Sequence, residues 1–178
     1  MHKLLFIFLL SVEVLLAQQK EYRGTVYDQF DNRIIGAKVI NLNTKDSTKT
    51  DCEGKFRILM NKADSISIVK ENYLTYSKKI GTRKRMHVTL NFDVFKIRRK
   101  LSAYKDEDKR NNPNYKPNCC QPLFILDGEP YHRSQNWDHL KTKDLKDVQV
   151  FKGADAINMF SDFAKSGVIF VSTRCKSD

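Results

Sequence analysis

The sequence is poor in the residues that mark fibrous and low-complexity proteins. It holds only 7 Gly and 4 Pro among 178 residues, which excludes collagen-like and Pro/Gly-rich chains. Beyond the N-terminus no apolar run approaches the roughly 20 residues that a membrane-spanning helix needs, which excludes a polytopic helical membrane protein. Hydrophobic residues make up 40% of the chain, so we expect one ordinary packed domain or two small ones.

Sequence signatures of common enzyme and metal sites are also missing. The motifs HExxH, GxSxG and GxxxxGKS/T do not occur, and the cysteines lack the CxxC-like spacing of a zinc site. His132, Asp138 and His139 could gather around a metal, although a polar loop and helix start explain them equally well. We therefore predict a protein that is not an enzyme, with no catalytic, cofactor-binding or metal-binding residue and no cofactor.

The N-terminus has the order of a secretory signal peptide. A basic start that ends in Lys3 precedes residues 4–16, which are mostly apolar, and the small residue Ala17 follows. Because such a segment is removed on export, we assign residues 1–17 to a signal peptide and leave them out of the fold.

Export changes how the four cysteines are interpreted, because disulfides persist in oxidising compartments. Four cysteines allow three full pairings, and the sequence does not choose among them. Cys119 and Cys120 are adjacent. Two bridges from this pair, one to Cys52 and one to Cys175, would tie the two halves of the chain together.

Short runs of alternating apolar and polar residues fill residues 18–90. Met86, Val88 and Leu90, for example, alternate with polar neighbours. A period of two in short runs, separated by turn residues, is typical of antiparallel strands. We therefore predict a small antiparallel β-sandwich over residues 18–90.

Residues 91–120 have a different composition. Lys and Arg cluster at residues 96–100, and Asn and Pro fill residues 111–118. We predict a solvated basic linker, because these residues disfavour regular structure. The chain carries a net charge of +11, and the cations at 83–85 and 96–100 leave open a contact with anionic lipid headgroups or acidic glycans. Export argues against nucleic acid as a partner.

Residues 121–178 return to compact patterning. Apolar runs at 123–126, 148–151 and 168–171 predict strands, and residues 154–163 have helical spacing. A short helix between the first two strands could turn Trp137, Leu140 and Leu145 inward. The order β-α-β-α-β predicts a small mixed α/β domain, so that the whole chain falls into the α+β class.

Four motifs in the first segment match a known family. They are GTVYD at 24–28, IGAKV at 35–39, TKTDCEGKF at 48–56 and ENY at 71–73. With them the segment resembles the carboxypeptidase-like regulatory domain, a transthyretin-like sandwich that is non-catalytic. The resemblance marks Asp51, Gly54 and Phe56 as family-motif positions.

Three motifs in the last segment match a second family, in the right order. They are PLFILDGEP at 122–130, DLKDVQVFKGADA at 144–156 and SGVIFVST at 166–173. The segment resembles the C-terminal half of the plug domain of TonB-dependent outer-membrane receptors, in the form used by glycan importers. The family-motif positions here are Asp127, Gly128, Lys152, Gly153 and Gly167. The sequence ends at Asp178, so we expect no transport barrel.

The two resemblances together imply an exported, non-enzymatic binding module of the cell envelope, in the periplasm or at the outer membrane of a Gram-negative bacterium. Its expected partner is an envelope protein, such as an outer-membrane receptor barrel. A glycan ligand and contact with the membrane surface stay open. The alternative functions are an accessory or degenerate hydrolase component acting on a periplasmic polymer and a receptor remnant without a function of its own.

Overall fold

The protein combines strands and helices, which confirms the α+β class. The computed structural model describes residues 19–112, 121–131 and 140–175, and these contain eleven strands, two α-helices and two short 3-10 helices. No helix within these ranges is long and apolar enough to cross a membrane.

The elements follow one another in chain order. The strands of the first part are β1 (Lys20–Asp28), β2 (Lys38–Asn41), β3 (Ser47–Lys49), β4 (Lys55–Met60), β5 (Ser65–Val69), β6 (Tyr76–Lys79) and β7 (Arg85–Leu90). They are followed by α1 (Val94–Asn111), β8 (Leu123–Leu126), β9 (Glu129–Pro130), β10 (Leu145–Phe151), α2 (Gly153–Phe160) and β11 (Val168–Thr173). The 3-10 helices Thr142–Asp144 and Ser161–Ala164 flank β10 and α2.

The described residues form two compact units that cut across the segments expected from the sequence. The first unit comprises residues 19–27, Arg33–Val69 and Thr75–Thr89, and the second comprises Asp28–Asn32, Lys70–Leu74 and the described residues from Leu90 onward. Two short segments from within the expected sandwich therefore pack with the C-terminal part of the chain.

One sheet of the first unit has the strand order β4-β1-β7. β1 and β4 are antiparallel, with Gly24 opposite Phe56. A Cβ on Gly24 would lie 2.6 Å from the Phe56 ring, so glycine at this position leaves room for that ring. β4 alternates strictly, because Phe56, Ile58 and Met60 are buried while the residues between them are exposed. The period of two in the sequence thus corresponds to one buried and one exposed face.

The other sheet of the first unit has the order β3-β2-β5-β6 and is antiparallel throughout. Val39, Ile66 and Ile68 are fully buried. The buried polar residues beside them are paired, since Asn41 Nδ2 donates to Asp64 Oδ2 over 2.8 Å. This bond offsets the cost of removing an amide and a carboxylate from water.

The prediction of an irregular linker at residues 91–120 is wrong for the 18 residues of α1. Asp93 begins the helix, with its side chain accepting a hydrogen bond from the Lys96 amide over 3.0 Å. Ile97 and Leu101, one turn apart, are buried. Their burial stabilises a helix whose remaining residues are mostly charged and solvent-facing.

The C-terminal sheet has the order β10-β11-β8-β9. β11 lies between β10, to which it is antiparallel, and β8, to which it is parallel. The apolar run at 168–171 is therefore an inner strand, as its sequence predicts. Val168 and Phe170 are buried on one face, and on the other face Val171 is buried while Ile169 is partly exposed.

The helical spacing at 154–163 is confirmed by α2 and the 3-10 turn that follows it. The short helix expected around Trp137 falls largely on 132–139, outside the described residues. Leu145, which was expected in that helix, is instead the first residue of β10.

Cys52 and Cys175 are both disulfide-bonded. This confirms the prediction that cysteines of this chain form disulfides. Cys119 and Cys120 lie outside the described residues, so the pairing proposed from the sequence stays a prediction.

Candidate functional site

The C-terminal sheet carries two rows of apolar side chains on one face. Phe124, Ile169 and Val150 are register partners across β8, β11 and β10, and they form the first row. Leu126, Val171 and Val148 form the second row in the same way. Directly paired residues lie on the same side of a sheet, so the six side chains share one face.

In each row the valine of β10 is the most exposed of the three side chains. Val171 is buried, whereas Val148 is 49% exposed and Val150 is 53% exposed. Lys152 follows Val150 by two residues and lies on the same side, and Lys146 lies at an irregularity of the register near the start of β10. Both lysines are exposed. We call Lys146, Val148, Val150 and Lys152 the valine edge, because β10 ends the sheet in the described part of the chain.

The opposite face of the sheet packs on a cluster of aromatic rings. The ring centroid of Phe170 lies 4.9 Å from that of Phe30, 5.2 Å from that of Phe92 and 5.7 Å from that of Phe151. Phe151 also approaches Phe30, at 5.1 Å. Stacked, tilted and edge-on pairs at these distances add to the burial energy. The cluster therefore stabilises the sheet on the face opposite the exposed valines.

The turn at Asn72 and Tyr73 is packed against the loop after β8. Asn72 is fully buried, and its Nδ2 donates to the Gly128 carbonyl over 3.0 Å. A Cβ on Gly128 would lie 2.7 Å from the Tyr73 ring, so the contact requires glycine. Burial is the main cause of a raised pKa of Tyr73, and the carboxylates of Asp28 and Asp127 add to it. The phenol is therefore neutral at physiological pH.

Lys100 of α1 joins this turn to β9. Its Nζ lies 2.8 Å from Glu71 Oε1 and 2.8 Å from Glu129 Oε2. Burial alone would lower the pKa of Lys100, but the bonds to the two glutamates outweigh it and raise that pKa. The hydrogen bond from Lys100 lowers the pKa of Glu71. α1 is thus bonded into the second unit.

α1 makes a second polar contact with the C-terminal elements. Arg98 Nη2 donates to the Met159 carbonyl over 2.9 Å, in the last turn of α2. A guanidinium there satisfies a carbonyl that has no partner within its own helix, and it interacts favourably with the negative end of the helix dipole.

The family-motif positions of the first segment shape a tight hairpin turn. Asp51 Oδ1 accepts from the amides of Glu53 and Lys55 over 2.8 and 2.9 Å. Gly54 has φ +67°, and a Cβ there would lie 2.8 Å from the Val26 carbonyl oxygen. Phe56 is buried in the sheet that follows. The contacts of Asp51 and Gly54 are those of a turn.

The family-motif positions of the last segment fall into two groups. Asp127 and Gly128 lie at the C-terminal end of β8, where Asp127 accepts from the Thr173 amide and hydroxyl over 2.8 and 2.7 Å. Lys152, Gly153 and Gly167 lie at the other end of β11. A Cβ on Gly167 would lie 2.8 Å from the Phe151 carbonyl oxygen and 3.5 Å from Lys152 Cγ, so Gly167 lies close to the end of β10.

Of these eight positions only Lys152 belongs to the valine edge. The exposed valines were predicted as strand residues, but their outward direction was not. The signal was present in the alternation of Lys146, Val148, Val150 and Lys152, which shows which residues share a face without showing whether that face is covered. His132, Asp138 and His139 lie outside the described residues. Within the residues that the structure describes, no group of three or more His, Cys, Asp or Glu side chains could hold a metal ion.

No protein-family model and no curated protein matches this chain. The resemblances to the carboxypeptidase-like regulatory domain and to the receptor plug therefore rest on the sequence motifs.

Proposed function

We propose that the protein is an exported, non-enzymatic binding module of the cell envelope that contacts a protein partner through the valine edge. The observation that carries the proposal is the pair Val148 and Val150, each about half exposed at the edge of a sheet. A strand edge offers main-chain donors and acceptors to an added strand, and the alternate side chains give that pairing its specificity.

The charges around the valines favour a particular kind of partner. Lys146 and Lys152 frame the apolar pair, and in the described residues neither has an ion-pair partner. Lysines at an edge disfavour pairing with a second copy of the same strand, because their charges would repel. A strand with apolar residues between acidic ones would complement them.

The class of partner comes from the sequence resemblance. The motifs of the last segment resemble a receptor plug, whose setting is an outer-membrane barrel, and those of the first resemble a transthyretin-like sandwich. We therefore propose a plug-like domain attached to a sandwich, with a receptor barrel of the outer membrane as the partner.

Site-specific crosslinking in cells tests this proposal. A photoreactive phenylalanine analogue replaces Val150 in one variant and Leu59 of β4 in the control. The two positions are both 53% exposed and both lie on a strand that ends its described sheet. We expect an adduct with an outer-membrane barrel protein at position 150 and none at position 59.

Three other outcomes would reject the proposed partner. Absence of any adduct at 150 argues against the valine edge as a binding surface. The same adducts at both positions indicate random encounters. An adduct at 150 with a polysaccharide hydrolase supports the rival function, an accessory component of that enzyme.

A further inference from the structure

A basic cleft opens in the first unit, where the edges of its two sheets face each other. β6 ends one sheet and β7 ends the other in the described residues. The cleft between them has a volume of about 500 Å³. Its walls include the cations Lys78 and Lys79 of β6, Arg83 of the connection and Arg85 of β7. His87 of β7 also lines it.

Among the described residues, no carboxylate lines this cleft. Across the described ranges of the chain, none of its two lysines and two arginines has an ion-pair partner. Other cations of the same unit do have one, since Arg23 bonds to Glu21 over 2.7 Å and Lys55 bonds to Glu53. Four like charges around one concavity repel each other unless an anion enters it.

The positive surface continues past the cleft. A second, smaller cavity of about 380 Å³ is lined by Lys20, Arg23, Lys84 and Arg85, together with Glu21. Arg85 belongs to both cavities. The carboxylate of Glu21 is bonded to Arg23, whose hydrogen bond lowers the pKa of Glu21. Because the two cavities share Arg85, positive charge extends from the cleft toward β1.

The floor and walls of the cleft also offer flat, weakly polar surface. Ile66 and Ile80 are buried at its base, and Tyr76 is half-buried in its wall. The His87 ring stacks on Tyr27 at a centroid distance of 6.1 Å and an angle of 17°, which holds it in place. Binding sites for small units combine such apolar walls with a few placed polar groups.

We propose that the basic cleft binds an acidic glycan, a carbohydrate whose sugar units carry carboxylate or phosphate groups. The acid groups pair with Arg83, Arg85 and the β6 lysines, because a guanidinium matches both kinds of oxyanion with two parallel hydrogen bonds. The sugar rings lie against Tyr76 and His87. Hydroxyl groups find main-chain partners along the open edges of β6 and β7.

A bilayer surface fits the cleft less well than a glycan does. Proteins that insert into an interface present large apolar side chains beside their cations. The exposed large apolar side chains of the described residues all lie elsewhere, and none of them lines the cleft. The inference is independent of the valine edge, because the cleft and β10 belong to different units.

Affinity electrophoresis of the mature, disulfide-intact protein tests the proposal. The gels contain polygalacturonate, which carries carboxylates, phosphomannan, which carries phosphates, or dextran, which is neutral. We expect one or both acidic polymers to retard the protein, with the retardation falling as salt is added. The polymer that binds identifies the acid group. Dextran is expected to have no effect.

A matched pair of double variants locates the binding. Arg83→Gln with Arg85→Gln removes two charges from the cleft, and Lys38→Gln with Lys49→Gln removes two exposed charges from a cross-strand pair on β2 and β3. We expect about a tenfold loss of affinity in the first variant, as two lost surface ion pairs would give. The second variant is expected to bind like the wild type.

A third variant tests whether the cleft recognises the sugar rings of a glycan or only an anionic group. Tyr76→Ala keeps every charge and is expected to weaken binding of the acidic polymer while leaving binding of inorganic phosphate unchanged. The proposal is rejected by equal retardation in dextran, by equal losses in the two double variants, or by retardation in neither acidic polymer. Sedimentation with phosphatidylglycerol vesicles in the absence of polymer binding would assign the cleft to a membrane surface and reject it too.

Discussion

β4 and β10 each lie at the edge of a sheet in the described residues, and they use their faces in opposite ways. On β4 the side chains of Phe56, Ile58 and Met60 are buried, and the exposed face carries mostly charge. On β10 no residue is fully buried, and the outward face carries Val148 and Val150. The apolar face of β4 is buried in the core of its own unit, whereas the apolar pair on the outward face of β10 stays about half exposed.

The largest difference in stability should appear when a negative charge is introduced on each of the two strands. Ile58→Asp buries an unpaired carboxylate in the first unit, which costs several kcal/mol, against a total stability of about 5–15 kcal/mol for a typical domain. We expect loss of the β signal in circular dichroism and of cooperative melting. Val150→Asp is the control and should shift stability by no more than about 0.5 kcal/mol. Equal melting temperatures for the two variants would contradict the contrast.

The free energy of unfolding should depend nearly as strongly on the aromatic cluster that packs beneath the C-terminal sheet. Phe170→Ala removes the ring shared by Phe30, Phe92 and Phe151, and we expect a loss of about 3–5 kcal/mol in urea unfolding. Phe95→Ala makes the same chemical change on α1, where the ring is 77% exposed. It should cost about 0.5 kcal/mol or less. A small effect at position 170 would mean that the cluster contributes little to the second unit.

The glycines next to the two strands form a third matched pair. Gly54, before β4, and Gly153, after β10, have φ angles of +67° and +60°. Alanine at either position costs about 1–2 kcal/mol in this left-handed conformation. Gly54→Ala should cost a further 1–3 kcal/mol, roughly, because its Cβ would lie 2.8 Å from the Val26 oxygen, whereas no atom lies within 4 Å of a Cβ at Gly153. Equal unfolding free energies for the two variants would show that the backbone at Gly54 relaxes.

The smallest effect concerns pH. Asp28, the last residue of β1, has a raised pKa caused mainly by burial and opposed by the amides of Asn32 and Phe30. The folded state therefore binds a proton more tightly than the unfolded chain, and this stabilising contribution is lost as pH rises through the folded value. Asp28→Asn keeps an oxygen for both amides and removes the titration.

We expect the Asp28→Asn protein to gain stability relative to the wild type as pH rises from about 3 to about 7. Melting temperatures measured across that range check the sign. A difference that stays constant with pH, or one that shrinks toward neutral pH, would contradict the assigned cause.

The strands and turns of the first unit could be predicted more fully than those of the second, because the residues that determine each of them are neighbours in the sequence. The alternation in β4 indicates both the strand and its buried face, and the turn residues Asp51 and Gly54 indicate where the chain reverses. In the second unit the same local reasoning applies to β11, whose continuous apolar run is typical of an inner strand. In each case a few neighbouring residues are enough to state the physical reason.

The second unit was less predictable because its contacts join distant segments. In α1 the buried pair Ile97 and Leu101 is hidden among charges, and the capping role of Asp93 is visible only once a helix is suspected. The contact between Asn72 and Gly128 spans 56 residues of sequence, and no local pattern announces it. The basic cleft is lined by residues of β6 and β7. That the edges of these two strands face each other depends on the tertiary fold, which the sequence pattern of either strand does not show.

The membership of Asp28–Asn32 and Lys70–Leu74 in the second unit sets an order of assembly. Phe30 and Tyr73 are synthesised well before Phe170, whose ring Phe30 contacts in the folded protein. Until β8 and β11 emerge, these aromatic side chains have no finished core to enter, and exposed apolar surface of this kind favours aggregation during folding. β11, the last of the described strands along the chain, therefore completes a core to which Phe30 and Tyr73 of the first half of the chain belong.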